Sequence, residues 1–422
     1  MDLSCFDQKS CMSKQKTNKS QNASHYIEEK DLRGFKFFRN LFPLLEKYHS
    51  VKDHHNRDLH FDQYLCLFLL YFFNPALTSL RAIQQATTLK KVQDKLGVKQ
   101  TSLGSLSEAS HVFDAQLVAP LLKQLASQAL CFEKDPKLKQ LQQALVAVDG
   151  TLLRALPKML WALWIDDHNR AAKLHLEFDI EKSIPTGAVI THGNANEKHV
   201  FKDSFLGPNK LYVLDAGYCE YKLLWGIKSH NSSFVVRLRD NAVWETIEQR
   251  PLTEADKQAG VTKDLIVCLG SDTKNKDYPC PVRIVELFHK GDETIRRKSR
   301  VSSKKTFRTT DADYYLLLVT DRMDLPAEVI ALIYRYRWFI ELFFRWFKCI
   351  LGCKHLLAQS QNGLSIQVYC ALIASMLITL WTGCKPTKRT FEMLQLYFMG
   401  WADLDELEAH IEKLKQRNQN NA

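Results

Sequence analysis

The residues best able to do chemistry together lie between positions 334 and 348. If this stretch is helical, at roughly 100° per residue, Tyr334, Arg337, Glu341, Arg345 and Lys348 share an arc of about 80°. Tyr336, Phe339, Phe343, Phe347 and Ile350 fall on the opposite side. One face packs into a core while a narrow stripe, about 21 Å long at 1.5 Å per residue, carries one acid among cations. That length matches several phosphates of a nucleic-acid backbone. The bland reading of the same residues is a solvated helix face with an i,i+4 ion pair between Arg337 and Glu341. Two further acids shift the weight. Asp149 and Asp215 each follow a short hydrophobic run, Ala144–Val148 and Leu211–Leu214, with glycine one or two residues on. Strand ends of α/β sheets are where ligands and metals gather. Two aspartates from neighbouring strands and a glutamate from a packed helix make an all-oxygen site. Such a site suits two Mg2+ or Mn2+ ions, which activate a water or a 3′-hydroxyl during phosphoryl displacement.

The elements that must position these residues are legible in outline. Ala144–Val148, Lys173–Ile180, Ala188–Thr191, Leu211–Leu214 and Ser233–Leu238 read as strands, with Tyr221–Lys228 helical among them, an α/β layout. From about 240 to 313 the chain turns charged and β-flavoured, with strand-like pieces at Leu265–Leu269 and Val282–Leu287. Tyr314–Val319 is a strand again. Asp324 and Pro326 then mark the start of one long helix reaching about Leu351. A second apolar helix covers Ser365–Trp381, and an amphipathic stretch follows at Leu404–Leu414. Before the strands, residues from about 30 to 130 are helical, with apolar spacing of three and four in Phe35–Phe42, Phe61–Phe73 and Leu117–Leu130. Short stretches at Ser79–Leu89 and Lys91–Leu96, punctuated by Gly97 and Gly104, suit a helix-turn-helix-like module and a plain bundle equally well.

Composition narrows the classes. The chain has 422 residues, enough for two or three domains, and a formal charge of +11, which favours an acidic partner without proving one. Its 11 cysteines lack a CxxC pair and several lie in apolar runs, so reduced buried thiols are expected rather than disulfides or zinc. The polar start, 1–24, has no signal-peptide pattern. The apolar runs Leu65–Phe73 and Val368–Trp381 fall short of the ~20 residues that a bilayer requires, so no membrane span and a cytoplasmic location are expected.

The string Tyr334-x2-Arg337-x3-Glu341-x6-Lys348 matches, at every spacing, the YREK signature of bacterial transposases of the insertion-sequence-four family. Val148-Asp149-Gly150-Thr151 resembles the first-Asp region of that family, and Leu214-Asp215-Ala216-Gly217-Tyr218 its second. Phe234-Val235-Val236-Arg237 resembles the strand that follows. The likeness covers about 145–380. It implies an RNase H-like core, a mixed sheet flanked by helices, over 140–240 and 314–385. A mostly β insertion domain (241–313) would interrupt that core. An all-α N-terminal domain (25–135) for DNA-end recognition would precede it, and a helical segment with a polar tail (386–422) would follow. The resemblance assigns Asp149, Asp215 and Glu341 to a DDE triad holding two Mg2+ or Mn2+ ions, and Tyr334, Arg337, Lys348 and Arg237 to DNA contacts. The activity implied is cut-and-paste transposition through a hairpin, on double-stranded DNA at terminal inverted repeats and a target, by a homodimer at the nucleoid. Another RNase H-like endonuclease would explain the acids without the full spacing. A catalytically silent DNA-binding descendant would be expected to have lost one of them.

Other residues are weaker candidates for DNA contact. Lys173 and His175 share one strand face, although a satisfied structural histidine is the commoner outcome. Trp244 could stack on a flipped base. The basic run from Arg296 to Lys305, including Arg297, could meet phosphates or be a solvated loop. Cys349 and Cys353, one turn apart, read as core, and His54, His55, His192 and His199 as surface or turn residues.

Overall fold

The computed structural model describes residues 41–52, 56–131, 135–139, 141–164, 170–270, 277–289, 314–351, 356–385 and 387–420. Helices come first: α1 (Phe42–Leu45), α2 (Phe61–Phe73), α3 (Leu80–Ala86), α4 (Lys90–Leu96), α5 (Leu103–Val112) and α6 (Ala119–Gln128). Three strands follow, β1 (Ala144–Arg154), β2 (Ala171–Asp179) and β3 (Ile184–His192). Then come α7 (Glu197–Ser204), β4 (Lys210–Leu214), α8 (Tyr221–Ser229), β5 (Ser233–Arg237), β6 (Trp244–Gln249), α9 (Glu254–Gln258), β7 (Val261–Leu269) and β8 (Val282–His289). The described chain closes with β9 (Tyr314–Thr320), α10 (Ala327–Tyr336), α11 (Trp338–Leu351), α12 (Gln361–Thr382), α13 (Lys388–Met399) and α14 (Leu404–Asn420).

All nine strands join one sheet in the order β3-β2-β1-β4-β5-β9-β8-β7-β6. β1, β2 and β3 form an antiparallel meander. β4 and β5 lie parallel to β1, and β9 returns antiparallel on β5. The segment between β5 and β9 contributes β6, β7 and β8, which continue the same sheet outward from β9. The period of two along each strand sorts side chains between two cores. Leu145, Ala147, Leu211, Val213 and Val235 face a large core that also contains α2, α6, α10, α11 and α12. Val146, Val148, Tyr212, Leu214, Phe234 and Val236 face a smaller one closed by α7 and α8.

Several elements differ from their sequence outline. β1 does not stop at Asp149 but runs to Arg154, because its far half keeps β2 as a partner. Its pairing with β4, however, ends at Ala147. Gly104 lies inside α5 rather than in a turn, since Ser102 caps that helix through Ser105 N–H at 3.0 Å and overrides one glycine's weak propensity. The long helix expected from Pro326 to Leu351 is broken at Arg337. There the backbone switches to tighter three-residue bonds, Arg337 N–H to Tyr334 O at 3.1 Å and Ile340 N–H to Arg337 O at 3.2 Å. Finally, α12 has 22 residues, longer than its apolar run suggested, so length alone does not exclude a membrane span. In the fold, 94% of its apolar window is buried within the protein.

Candidate active site

Alternation along β1 puts Asp149 on the face of Leu145 and Ala147. Asp215 follows Leu214 in extended backbone (φ −82°, ψ 170°), so it continues the face of Leu211 and Val213. Because β1 and β4 are parallel and in register up to Ala147 and Val213, the two aspartates emerge side by side. Past Leu214 only β1 continues, and the sheet has a notch beside it. α10 and α11 cover this face, and their junction brings Tyr334, Arg337 and Glu341 over the aspartates.

The contacts are specific. The Tyr334 hydroxyl donates to Asp215 Oδ1 at 3.3 Å. Arg337 donates from one Nη to Glu341 Oε1 at 2.7 Å, and its other Nη lies 3.7 Å from Asp149 Oδ2. The Arg337 guanidinium also sits 5.6 Å over the Tyr334 ring. Asp149 Oδ1 accepts the Gly150 amide at 2.8 Å. Burial pushes the Asp149 carboxyl up to about 6. The Gly150 amide and Arg337 pull against that, while Glu197 and Asp215 add to it. Burial also pushes the Tyr334 hydroxyl up to about 12, with Asp215 adding to the rise and Arg337 and Arg237 opposing it. For Arg337, burial works against the charged form, yet Tyr334, Asp215, Glu341 and Asp149 together hold its pKa above the ordinary arginine value.

The outlying candidates divide. Arg237, at the end of β5, is close enough for its charge to act on Tyr334. Arg345 is exposed and lies 5.2 Å over the exposed Trp338 ring, and Lys348 is half-buried further along α11. Lys173 points to Glu197 at 3.1 Å. His175 is 1% exposed and bonded to Thr191 Oγ1 at 2.8 Å, so its ring is closed off from the surface. Trp244 packs against the smaller core on the far strand of the sheet, away from the aspartates. Arg297 and the rest of the basic run, His54, His55, Cys353 and the side chain of Cys349 lie outside the described residues. Glu197, on α7, was not singled out from the sequence. The only local cue is Asn196, whose side chain accepts Lys198 N–H at 3.0 Å and starts that helix.

The carboxylates are oxygen donors of the kind Mg2+ or Mn2+ takes. Among the described residues no three acidic, histidine or cysteine side chains are gathered tightly enough to hold an ion as they stand. Arg337 lies between Asp149 and Glu341 and keeps them apart. Its Nε is buried with no partner, so the guanidinium is not locked in from every side. The acids therefore fit a divalent cation in kind, once Arg337 turns away.

A chain with paired aspartates on neighbouring parallel strands, one within β1 and one just past β4, under a helix-borne glutamate is a candidate phosphoryl-transfer enzyme. The family model described as the transposase DDE domain matches residues 140–377, more than half of the chain, and the protein belongs to that family. A protein of Sinorhizobium fredii named as a transposase is 29% identical over 210 residues, which cover 50% of this chain and 53% of that one. The chain thus spans about half the length of that relative. A Synechocystis protein, named as a transposase for an insertion-sequence element, is 22% identical over 70% of this chain and 77% of its own. One from Geobacillus stearothermophilus, named likewise, is 25% identical over 57% of this chain and 59% of its own. Among solved structures, a piggyBac transposase synaptic complex with hairpin DNA overlays loosely, with a TM-score of 0.38 and 10% identity over 94% of this chain and 83% of its own.

Proposed function

We propose that this chain is an insertion-sequence transposase that cuts and joins DNA at terminal inverted repeats, with Asp149, Asp215 and Glu341 as its catalytic acids. The observation that carries the reading is the convergence of these three acids on one face of the sheet, joined through Tyr334 and Arg337. An RNase H-like core is supported by the order of the first five strands, an antiparallel meander with two parallel strands beside β1. In this reading β6 to β8 belong to the insertion, and the N-terminal helices choose the repeat.

Divalent cations on the three acids would lower the pKa of an attacking water or 3′-hydroxyl and neutralise charge on the leaving oxygen. The protein's own groups do the rest. Tyr334 orients Asp215 by its hydrogen bond. Arg337, relieved of its acids, has the planar fork that fits a phosphate. Arg237, Arg345 and Lys348 extend a cationic track for the backbone beside it. Water attack on one strand breaks a P–O3′ bond and frees a 3′-hydroxyl, which then attacks the opposite strand to give a hairpin end. Water reopens the hairpin, and the freed 3′-hydroxyl later attacks target DNA. Two copies acting on paired ends would make the synapse.

Incubation of the protein with Mg2+ and the repeats flanking its gene tests this. Hairpinned ends are expected with the wild type and none with Glu341→Gln, which should still bind the repeats. Cleavage without hairpins or strand transfer would point to another nuclease, and binding without cleavage to a silent descendant.

A further inference from the structure

We propose that Glu197 is a fourth carboxylate of the divalent-cation centre, reaching Asp149 and Asp215 from the opposite side of the sheet; this rests on the proposed reading of the three acids. The notch past the end of β4 makes the approach possible. β1 there lacks its parallel partner, so the first turn of α7 can meet its edge. A Cβ on Gly150 would stand 2.9 Å from Glu197 Oε1, so the carboxylate would have to shift, and one on Gly217 would stand 3.8 Å from Oε2. The carboxylate therefore lies against both the strand that carries Asp149 and the turn that follows Asp215, with glycine after Asp149 leaving room for it. Its charge adds to the rise of the Asp149 carboxyl.

A second observation points to a ligand at the same place. Tyr218 is 1% exposed, and its hydroxyl has no hydrogen-bond partner. That hydroxyl lies in the field of Glu197, Asp149 and Asp215, in descending strength. A buried hydroxyl without a partner costs free energy unless something it can bond to comes near. Charge balance agrees. At present Lys173 neutralises Glu197 at 3.1 Å, as Arg337 does Glu341 at 2.7 Å. When both cations turn to DNA phosphates, four carboxylates are left, the charge that two divalent cations neutralise.

The test is Mn2+ binding by the full chain without DNA, with free Mn2+ read by electron paramagnetic resonance. Glu197→Gln should weaken binding tenfold or more. Lys173→Met should tighten it severalfold by removing a competing cation, an outcome not expected if Glu197 merely anchors Lys173. Glu197→Asp keeps the charge and the helix start, and should fall between wild type and Glu197→Gln. Wild-type affinity in Glu197→Gln, with Asp149→Asn weakened, would overturn the role of Glu197 and leave the three acids standing. Wild-type affinity in both variants would overturn the cation reading of the whole site.

Discussion

Arg337 sets the present electrostatics of the site, because its guanidinium reaches Glu341 at 2.7 Å and Asp149 at 3.7 Å and lies in the field of Asp215. The i,i+4 pair that a solvated helix face would make with Glu341 does exist, yet the same arginine is also tied to an acid from β1. His175 shows the other fate of a polar residue near this centre. Burial, helped by the charge of Lys173, drives its imidazole down to about 4. A histidine whose folded pKa lies below its unfolded value binds its proton more readily when unfolded. Its neutral form thus stabilises the fold above about 6.5, and that contribution is lost as pH falls toward 4. Urea unfolding at pH 7 and pH 5 should show the wild type losing about 2 kcal/mol more than His175→Gln. Equal losses in the two proteins would mean that His175 is not the buried neutral group described.

At the scale of elements, the turn at Arg337 aims the stripe. α10 docks through Val329, Ile330 and Ile333, and α11 through Ile340, Phe343 and Phe347, all buried. The break between them lets both pack while Tyr334, Arg337 and Glu341 stay over the aspartates. What fixes the start of α10 comes from α9 and the outer strands. Asp256, in a capping box with Thr253, accepts the Glu328 N–H at 2.8 Å. Arg283 on β8 makes a two-pronged pair with Asp264 on β7, at 2.7 and 2.8 Å, and donates to Arg322 O at 3.2 Å just before the helix. Arg283 is 1% exposed, so removing it strands a buried carboxylate. Arg283→Met should cost about 3–5 kcal/mol in denaturant unfolding, and adding Asp264→Leu should recover much of that. A double variant no more stable than the single one would show that the pair is not the dominant tie.

For the molecule as a whole, α12 is the spine. It packs between the N-terminal helices and β3, with the Tyr369 hydroxyl donating to Ala188 O at 2.9 Å and Gln361 Nε2 to Ile190 O at 2.9 Å. Asn362 at its start accepts the Ala115 N–H at 2.9 Å and donates to Ser110 O at 2.8 Å. The N-terminal helices therefore share one continuous core with the aspartate-bearing face of the sheet. Gly363 lies at the tightest point: an added Cβ would stand 2.6 Å from Ala358 Cβ and 2.8 Å from Ser110 Cβ. Gly363→Ala should cost about 1–3 kcal/mol. It should also raise hydrogen exchange first in α5 and α12. Unchanged exchange in both helices would show that this contact does not hold α5 against α12.

Sequence alone determined what depends on short-range pattern. The stripe on 334–348, the aspartates after two hydrophobic runs, the alternating strands and the helical start all follow from periodicities of two and 3.6, which local geometry imposes. The apolar side of the stripe is buried at Phe343 and Phe347, as its spacing requires. Tertiary structure decided what depends on pairing between distant segments. β1 runs past Asp149 because β2 offers it partners that a reading of β1 cannot see. β6 to β8 join the main sheet because β9 exposes an edge to β8. Glu197 comes against Gly150, 47 positions away in the chain, only through the crossing from β3 to β4 and the early end of β4. No periodicity records such a meeting, since a side chain's neighbours across a sheet are fixed by strand order and register rather than by its own surroundings in the chain.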